Sequence, residues 1–458
     1  MSDACPVVIL GAGLTGLSAA CHLRVPSVVL EREAEVGGLA RTHSEDGFTF
    51  DCTGHLLHLR DPRVQSLVDA ILPNAFARHD RRALIYSQGV YTPYPFQANL
   101  HGLPPEVVQE CVSGFVEALV RRAAEGEPDL AQLTFRDWAS RTFGSGIAKH
   151  FLVPYNTKLW RTDLDEIECG WVSWSIPRPT LKEVLDGAFG ATVRGMGYNP
   201  AFLYPRRGGI SVLPEALARR GAEVRLNETV TAVDARARAV YLASGRAVQY
   251  ETLVSTLPLD HLLRITSGLP QDLPDAGARL RAVRVLNISL GVDRDAISGA
   301  HWVYFPEPEY SFYRVGFPSN LSPALAPRGC SSLYVERSLL RHEPFAEEQV
   351  VAAAIEDLRR AGILWRGDRV IYRRVQVLDP AYVIYDRFRA ANLPRVHEAL
   401  RAAGIHSMGR FGSWEYSSME GAIKAGMELA ERLDGSLSGR QAAGRAGPIL
   451  GQAPRQGS

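Results

Sequence analysis

The sequence lacks the features by which several classes of protein are usually recognised. It contains no apolar run near the length of a membrane span, and its formal net charge of +1 gives little attraction to nucleic acid or anionic membranes. The six cysteines stand singly, without a Cys-x-x-Cys pair, which disfavours a zinc site and a disulfide framework. The first apolar run begins at Pro6, too early for a signal peptide. We therefore expect a cytoplasmic protein with reduced thiols, no nucleic-acid partner and no membrane span.

The sequence does contain a glycine-rich turn between an apolar run and a helical segment. Residues 6–10 are typical of a buried strand and residues 14–23 of a helix. Between them, successive glycines suit a tight turn, the close approach of a pyrophosphate and helix–strand packing. Glu31 ends a second apolar run about twenty residues later, where a carboxylate can accept ribose hydroxyls. The pattern predicts a dinucleotide site formed by Gly11, Gly13, Leu14, Thr15, Gly16, Glu31 and Arg32.

The residues that follow Glu31 narrow the choice of dinucleotide. Residues 33–42, Glu-Ala-Glu-Val-Gly-Gly-Leu-Ala-Arg-Thr, resemble the second glycine motif of flavoproteins that include amine oxidases, protoporphyrinogen oxidases and UDP-galactopyranose mutases. Soluble NAD dehydrogenases lack this continuation. In such a motif the backbone at Gly38 and Leu39 can approach the dinucleotide closely a second time, and Arg41 is available to a phosphate or the flavin edge. FAD is therefore the predicted cofactor.

A histidine-containing loop forms the next predicted part of the site. Gly54 and His55 follow a predicted strand over residues 48–52, in a segment that lies beside the flavin ring in those flavoproteins. A metal site built on His55 and His58 is the alternative, but the spacing suggests no third ligand. We predict that His55 contacts the flavin and that His58 is structural.

The remaining predicted flavin contacts lie much later in the chain. Val230 matches a position whose backbone contacts the adenine in related flavoproteins, and Arg410 matches a position near the flavin. Ser418 and Met419 begin the last predicted helix, whose first amides can bind the flavin pyrimidine and ribityl chain.

A chain of 458 residues is too long for one hydrophobic core, so several domains are expected. We predict an α/β fold in which a Rossmann-type FAD-binding domain carries a helical insertion and an antiparallel-sheet substrate domain. The predicted boundaries are 1–90, 204–265 and 400–434 for the FAD-binding domain, 91–203 for the mainly helical substrate and nucleotide domain, and 266–399 for the antiparallel sheet. Residues 435–458, rich in Gly, Ser, Gln, Arg and Pro, are predicted to be disordered.

Several separated blocks together resemble the eukaryotic-type UDP-galactopyranose mutases. They are Tyr94-Pro95-Phe96-Gln97, Pro154-Tyr155-Asn156 with Trp160, Asn199 with Phe202, residues 302–307, Phe312-Tyr313-Arg314 and residues 409–414. The resemblance implies that the uracil and ribose of a nucleotide are held by Tyr94, Gln97, Phe151, Asn156 and Trp160. It also implies that a diphosphate is bound by Tyr304, Arg314 and Tyr416, and that His55, Asn199 and Arg410 lie near the flavin. We assign catalytic roles to His55, Asn199 and Arg314.

Two departures from that family affect the diphosphate. Ser175 occupies the position of a second diphosphate arginine, and Arg178 lies three residues further on. The segment after Tyr416 is shorter, and an expected asparagine is missing. These differences imply that one diphosphate contact is lost or rerouted, so that Arg314 carries a larger share.

The resemblance implies a redox-neutral ring contraction of a nucleotide-linked sugar by reduced flavin, with a reductant such as NAD(P)H. An alternative is an FAD-dependent oxidoreductase of the amine oxidase or protoporphyrinogen oxidase type, for which Gly37-Gly38 and residues 418–422 would serve equally well. A flavin-binding protein without catalysis is a third possibility, but it leaves the predicted pocket residues unexplained.

Overall fold

The computed structural model describes residues 3–171, 176–193, 195–197, 200–221 and 223–445. Its strands are β1 Asp3–Leu10, β2 Ser27–Leu30, β3 Thr42–Glu45, β4 Phe48–Asp51, β5 Phe76–Asp80, β6 Ala83–Ser87, β7 Val90–Pro93, β8 Ala201–Pro205, β9 Glu223–Arg225, β10 Val230–Asp234, β11 Ala239–Leu242, β12 Ala247–Ser255, β13 Thr266–Ser267, β14 Ala282–Val292, β15 Trp302–Tyr304, β16 Arg314–Gly316, β17 Ser331–Leu340, β18 Val370–Val383 and β19 Ile405–Ser407. Its α-helices are α1 Leu14–His22, α2 Pro62–Ile71, α3 Pro105–Glu125, α4 Phe135–Ile147, α5 Val153–Trp160, α6 Leu181–Ala188, α7 Val212–Ala218, α8 Leu259–Ile265, α9 Leu273–Ala278, α10 Glu347–Arg360, α11 Arg387–Ala402, α12 Gly409–Gly412 and α13 Met419–Arg445.

The first sheet has a parallel core in the order β9–β2–β1–β12–β19. Residues 7–10 of β1 are fully buried, as expected for a strand covered on both faces. Helices α1 and α13 pack against each other over this sheet. The carboxyl ends of β1 and β2 carry the first glycine turn and Glu31, so the sheet brings both to one edge. The predicted Rossmann-type unit is confirmed.

The second sheet has the order β18–β14–β17–β16–β15–β6–β7. Its pairs are antiparallel except for β15 and β6, which run parallel. Strand β14 is buried along almost its whole length because β17 and β18 flank it, with the four helical turns of α10 packed near its apolar residues. All strands of this sheet except β6 and β7 come from residues 282–383, within the range predicted for the antiparallel sheet.

The described residues between 105 and 188 are mainly helical, in agreement with the predicted helical insertion. Helices α3 and α4 pack side by side, and a π-helical turn, Ala148–Leu152, connects α4 to α5. Trp138 and Phe143 are fully buried in the core that these helices share with Phe96.

The last helix differs from the prediction. It reaches Arg445, whereas the sequence predicted disorder from residue 435. Leu, Gln, Arg and Ala in residues 436–445 favour a helix, and this propensity continues a helix already packed against α1. The rest of the predicted tail, residues 446–458, lies outside the described residues. Every helix within the described part of the chain is too short or too polar to cross a bilayer.

Candidate functional site

A cavity of about 1100 Å³ lies where the two sheets meet. It combines the glycine turn of the first sheet, the loop after β4, residues of β16 to β18, and the segment between α12 and α13. Most of the predicted site residues line it: Gly11, Gly13, Leu14, Thr15, Glu31, Arg32, Gly38, Leu39, Arg41, Gly54, His55, Tyr94, Val230, Tyr304, Arg314, Arg410, Tyr416, Ser418 and Met419.

The two glycine segments touch each other at one end of the cavity. Gly11 has a φ of +96°, a conformation that side chains disfavour, and its N–H donates to the Leu30 carbonyl at 2.9 Å. A Cβ on Gly16 would collide with the Gly11 carbonyl, whereas a Cβ on Gly13 would have no atom within 4 Å. Gly37 donates its N–H to Ala12 at 2.8 Å and so brings the second segment against the first. The open face of Gly13 leaves room for a ligand.

Glu31 is held by the backbone at the edge of this turn. It is buried, and its two carboxylate oxygens accept hydrogen bonds from the Ala12 N–H at 2.7 Å and the Glu33 N–H at 3.0 Å. Arg41 donates from Nε to the Gly38 carbonyl at 2.9 Å and pairs with Glu33. Both charged groups are therefore oriented before any ligand arrives. The exposed Arg32 also pairs with Glu33.

His55 lies on the loop after β4 and lines the cavity. Its Nδ1 lies 3.2 Å from the Thr53 carbonyl, so Nδ1 carries the proton and Nε2 is the acceptor of a neutral ring. Burial lowers the pKa of His55 to about 4, and the nearby charges of Arg410 and Arg314 act in the same direction. His58 also lines the cavity, and its Nδ1 donates to the Ala201 carbonyl at 3.1 Å.

Arg410 lines the cavity close to the start of α13. Its guanidinium donates to the carbonyls of Ser417 at 3.0 Å and Ala381 at 3.1 Å, and it lies 4.7 Å from the centre of the Tyr416 ring. These contacts fix the turn that leads into α13, where Ser418 Oγ accepts the N–H of Gly421 at 3.0 Å.

Arg314 forms a two-pronged ion pair with the buried Glu336. Its Nε donates to one Glu336 oxygen at 2.8 Å and its Nη2 to the other at 2.7 Å. Glu336 is completely buried, whereas the Arg314 side chain keeps 21% exposure. Burial alone would raise the pKa of Glu336, but the charge of Arg314 holds that pKa below its ordinary value. Arg314 thus combines a fixed orientation with access to the cavity.

Tyrosine rings form the wall beside Arg314. The ring centres of Tyr94 and Tyr304 are 5.5 Å apart, and Tyr155 meets Tyr304 edge to face at 5.4 Å. The guanidinium of Arg81 lies 4.6 Å from the Tyr94 ring centre. Burial raises the pKa of Tyr304, so its hydroxyl stays protonated and can donate a hydrogen bond.

Several predicted residues are not on the cavity wall. Gly16 is in the helix packing, and Gln97, Phe151, Asn156 and Trp160 are buried in the core of the helical segment. Gln97 donates to the Pro177 carbonyl at 2.7 Å, and Asn156 accepts from Trp160 Nε1 at 3.0 Å. Their contact with a nucleotide base stays a prediction. Asn199 and Ser175 lie outside the described residues.

Two charged residues that the sequence did not predict lie beside Arg314 and Tyr94. Glu336 had a detectable signal, because it directly follows the apolar run Leu333–Val335, and an acidic residue that is buried needs a partner. Arg81 had none, since Arg81-Arg82 resembles any solvated pair. It lines the cavity because its backbone N–H donates to Pro200 at 3.0 Å and its Nη2 to the Met196 carbonyl at 2.6 Å.

The residues present fit a dinucleotide with an extended ring system. The open face of Gly13 suits a pyrophosphate, Glu31 can accept ribose hydroxyls at its remaining lone pairs, and the cavity extends from there to His55.

Comparison with known proteins places these features in context. The sequence model of the family described as flavin containing amine oxidoreductase matches residues 14–434. A solved structure of reduced UDP-galactopyranose mutase is 27% identical, with a TM-score of 0.88 over 94% of each chain. A putative protoporphyrinogen oxidase from Exiguobacterium sp. 255-15 is 16% identical, with a TM-score of 0.72 over 95% of this chain and 99% of that one. A putrescine oxidase bound to putrescine is 15% identical, with a TM-score of 0.63 over 94% and 99%.

Proposed function

Since this chain belongs to the family of flavin-containing amine oxidoreductases, we propose that it is an FAD-dependent enzyme whose substrate is a nucleoside diphosphate sugar. The predicted cofactor, FAD, and the predicted resemblance to UDP-galactopyranose mutase are confirmed. The proposed reaction is the ring contraction of the sugar, without net oxidation, as the name of the mutase relative suggests.

The charge of the cavity wall is the observation that carries this proposal. Arg81, Arg314 and Arg410 all line it. Among the described residues, Glu336 pairs with Arg314, but no carboxylate lies within 4 Å of Arg81 or Arg410. These three arginines therefore give their part of the wall a surplus of guanidinium charge, which attracts a diphosphate and disfavours the cationic amine that an amine oxidase binds.

Each group on this wall has a role in the proposed reaction. Reduced FAD, when bound, would supply a nucleophilic ring nitrogen for the sugar's anomeric carbon. Arg314 and the protonated Tyr304 hydroxyl would hold the diphosphate and stabilise the charge that develops as it leaves. His55 would present the neutral Nε2 as a hydrogen-bond acceptor beside the sugar and the ring. Tyr94 would position the nucleotide by stacking, with Gln97, Phe151, Asn156 and Trp160 contributing after local repacking.

The test compares substrates in reduced and oxidised protein. Purified holoprotein is incubated without oxygen with UDP-galactopyranose and with other nucleotide sugars, with and without dithionite, and the products are separated and identified by mass and NMR. We expect a furanose product only after reduction. The Arg314→Ala variant should weaken UDP binding more than tenfold, as expected for lost charge-assisted hydrogen bonds.

NADPH and NADH are then compared as physiological reductants by anaerobic bleaching of the flavin.

A further inference from the structure

We propose that Glu336 is a positioning residue that aims the guanidinium of Arg314 at the ligand's diphosphate and ties it to the loop that carries Thr53 and His55. This inference rests on the proposed function, because it concerns the orientation of the phosphate-binding group.

The sheet itself places Glu336 beneath Arg314. Arg314 on β16 and Glu336 on β17 are direct cross-strand partners, so their side chains leave the same face of the sheet. The carboxylate has no exposed surface and occupies Nε and one N–H of Nη2. The guanidinium is planar, so these two bonds fix its rotation as well as its position.

What remains of Arg314 is a preoriented binding edge. A guanidinium has five N–H groups, and Glu336 takes two of them. Glu336 takes neither the remaining N–H of Nη2 nor the two of Nη1, and Arg314 lines the cavity. A diphosphate can therefore receive hydrogen bonds without any change in the Arg314 conformation. Preorientation of this kind reduces the ordering cost of binding.

The same carboxylate also contacts the loop that carries His55. Thr53 Oγ1 donates a hydrogen bond to Glu336, and the Thr53 carbonyl accepts from His55 Nδ1. Tyr334, two residues before Glu336 on the same strand face, packs against Gly54 so closely that a Cβ there would collide with its hydroxyl. Strand β17 thus sets the distance between the phosphate-binding edge and the flavin side of the cavity.

A purely structural ion pair would give a different behaviour. A buried pair often stabilises a protein no more than apolar residues of the same shape, so stability alone gives Glu336 no specific role at this place. If Glu336 only balanced charge, then any carboxylate near Arg314 would serve. Positioning instead requires the correct length, and its loss should act on ligand binding only through Arg314.

A double-mutant cycle separates these roles. Dissociation constants for UDP and for inorganic pyrophosphate are measured by calorimetry on holoprotein, for Glu336→Gln, Arg314→Ala and the double variant. We expect each single variant to weaken UDP binding about tenfold or more, and the double variant to match Arg314→Ala within about twofold. The proposal is wrong if the losses of UDP affinity in the two single variants multiply in the double variant. It is also wrong if folded Glu336→Gln binds UDP as tightly as wild type.

Glu336→Asp covers the case in which Glu336→Gln does not fold. It keeps the compensating charge but lacks one methylene, so it should withdraw the guanidinium from the cavity and give a UDP affinity between those of wild type and Arg314→Ala. Wild-type affinity in Glu336→Asp would overturn positioning. Asp368→Asn is the matched control, because Asp368 forms an equally two-pronged pair with Arg294, at 2.8 Å for both bonds, and neither residue borders the cavity. It should lower stability and leave UDP binding unchanged.

Pyrophosphate distinguishes this inference from the proposed function. If wild type binds pyrophosphate through Arg314 but does not bind UDP, the nucleotide-sugar function is wrong. The positioning role of Glu336 is then tested by the double-mutant cycle measured with pyrophosphate. If wild type binds neither probe, both are wrong.

Discussion

The Tyr204 hydroxyl donates a 2.7 Å hydrogen bond to Oδ2 of Asp51, and this pair joins β8 to the end of β4, directly before the loop that carries His55. Oδ1 of Asp51 accepts from Thr42 Oγ1 at 2.7 Å and from the Ile210 N–H at 2.9 Å. One buried carboxyl group therefore connects three segments around the cavity. Burial raises the pKa of Asp51 to about 6, although all three hydrogen bonds oppose that shift.

Asp51 should make the protein less stable as the pH rises from about 4 to 6. Asp51 keeps its proton up to about pH 6 in the folded state but only up to about pH 3.8 in the unfolded chain. Its contribution to the free energy of unfolding is therefore present at low pH and lost as the pH rises through 6. Asp51→Asn keeps the shape and does not titrate. We expect wild type to lose up to about 3 kcal/mol relative to Asp51→Asn between pH 4 and 7, measured by urea unfolding. A pH-independent difference would contradict the assignment.

His55 should act in the opposite direction over nearly the same range. Its pKa is about 4 when folded and near 6.5 when unfolded, so the unfolded chain binds the extra proton between these values. Stability from this group is present above pH 6.5 and lost as the pH falls towards 4. His55→Gln can still donate to Thr53 but cannot titrate. The acid-dependent loss should be smaller in His55→Gln than in wild type by at least about 1 kcal/mol. Parallel curves for the two proteins would show that His55 is not buried as a neutral ring.

The cofactor part of the site could be predicted from sequence because its signals are local. Gly11, Gly13 and Gly16 lie within six residues: Gly11 has a positive φ, Gly16 has no room for a Cβ, and Gly13 leaves an open face for the ligand. Glu31 follows at the end of the adjacent parallel strand. Such patterns can be recognised in a sequence because the residues that meet in a strand–turn–helix unit are also close along the chain.

The substrate part could be predicted only in outline because its contacts are long-range. Arg314 and Tyr304 were found through a family resemblance, but nothing near them in sequence indicates Glu336 as a partner. That pairing depends on the register of β16 and β17, which sequence periodicity does not give. For Gln97 and Asn156 the sequence indicated a ligand contact, but in the structure both side chains form hydrogen bonds within the protein.

Substitutions at two glycines should separate flavin binding from folding. Gly13→Ala adds a methyl where no protein atom lies within 4 Å, so the fold should be retained while the pyrophosphate loses its close approach. We expect a folded, colourless or pale protein whose FAD affinity is reduced tenfold or more. Gly16→Ala forces a collision with the Gly11 backbone and should lower the melting temperature or the soluble yield. A yellow Gly13→Ala protein with normal FAD content would reject the assigned pyrophosphate position.

The number of electrons consumed per product distinguishes the mutase from an oxidase. In the proposed reaction the flavin returns to its reduced state at the end of each turnover, so one reduction should support many turnovers without an acceptor. An oxidase or dehydrogenase starts from oxidised flavin and uses one acceptor for every product molecule. The comparison therefore uses enzyme reduced once by a single equivalent of dithionite under anaerobic conditions, with product counted against enzyme.

We expect many product molecules per electron pair and no gain from adding an acceptor. The surplus guanidinium charge around Arg81 and Arg410 favours this outcome, because it suits an anionic leaving group and repels an amine. Arg410→Gln provides an internal check, since it removes one of these charges and should weaken UDP binding without changing the electron count. One product per electron acceptor, or oxygen uptake that equals product formation, would reject the mutase and identify an oxidoreductase that uses the same fold.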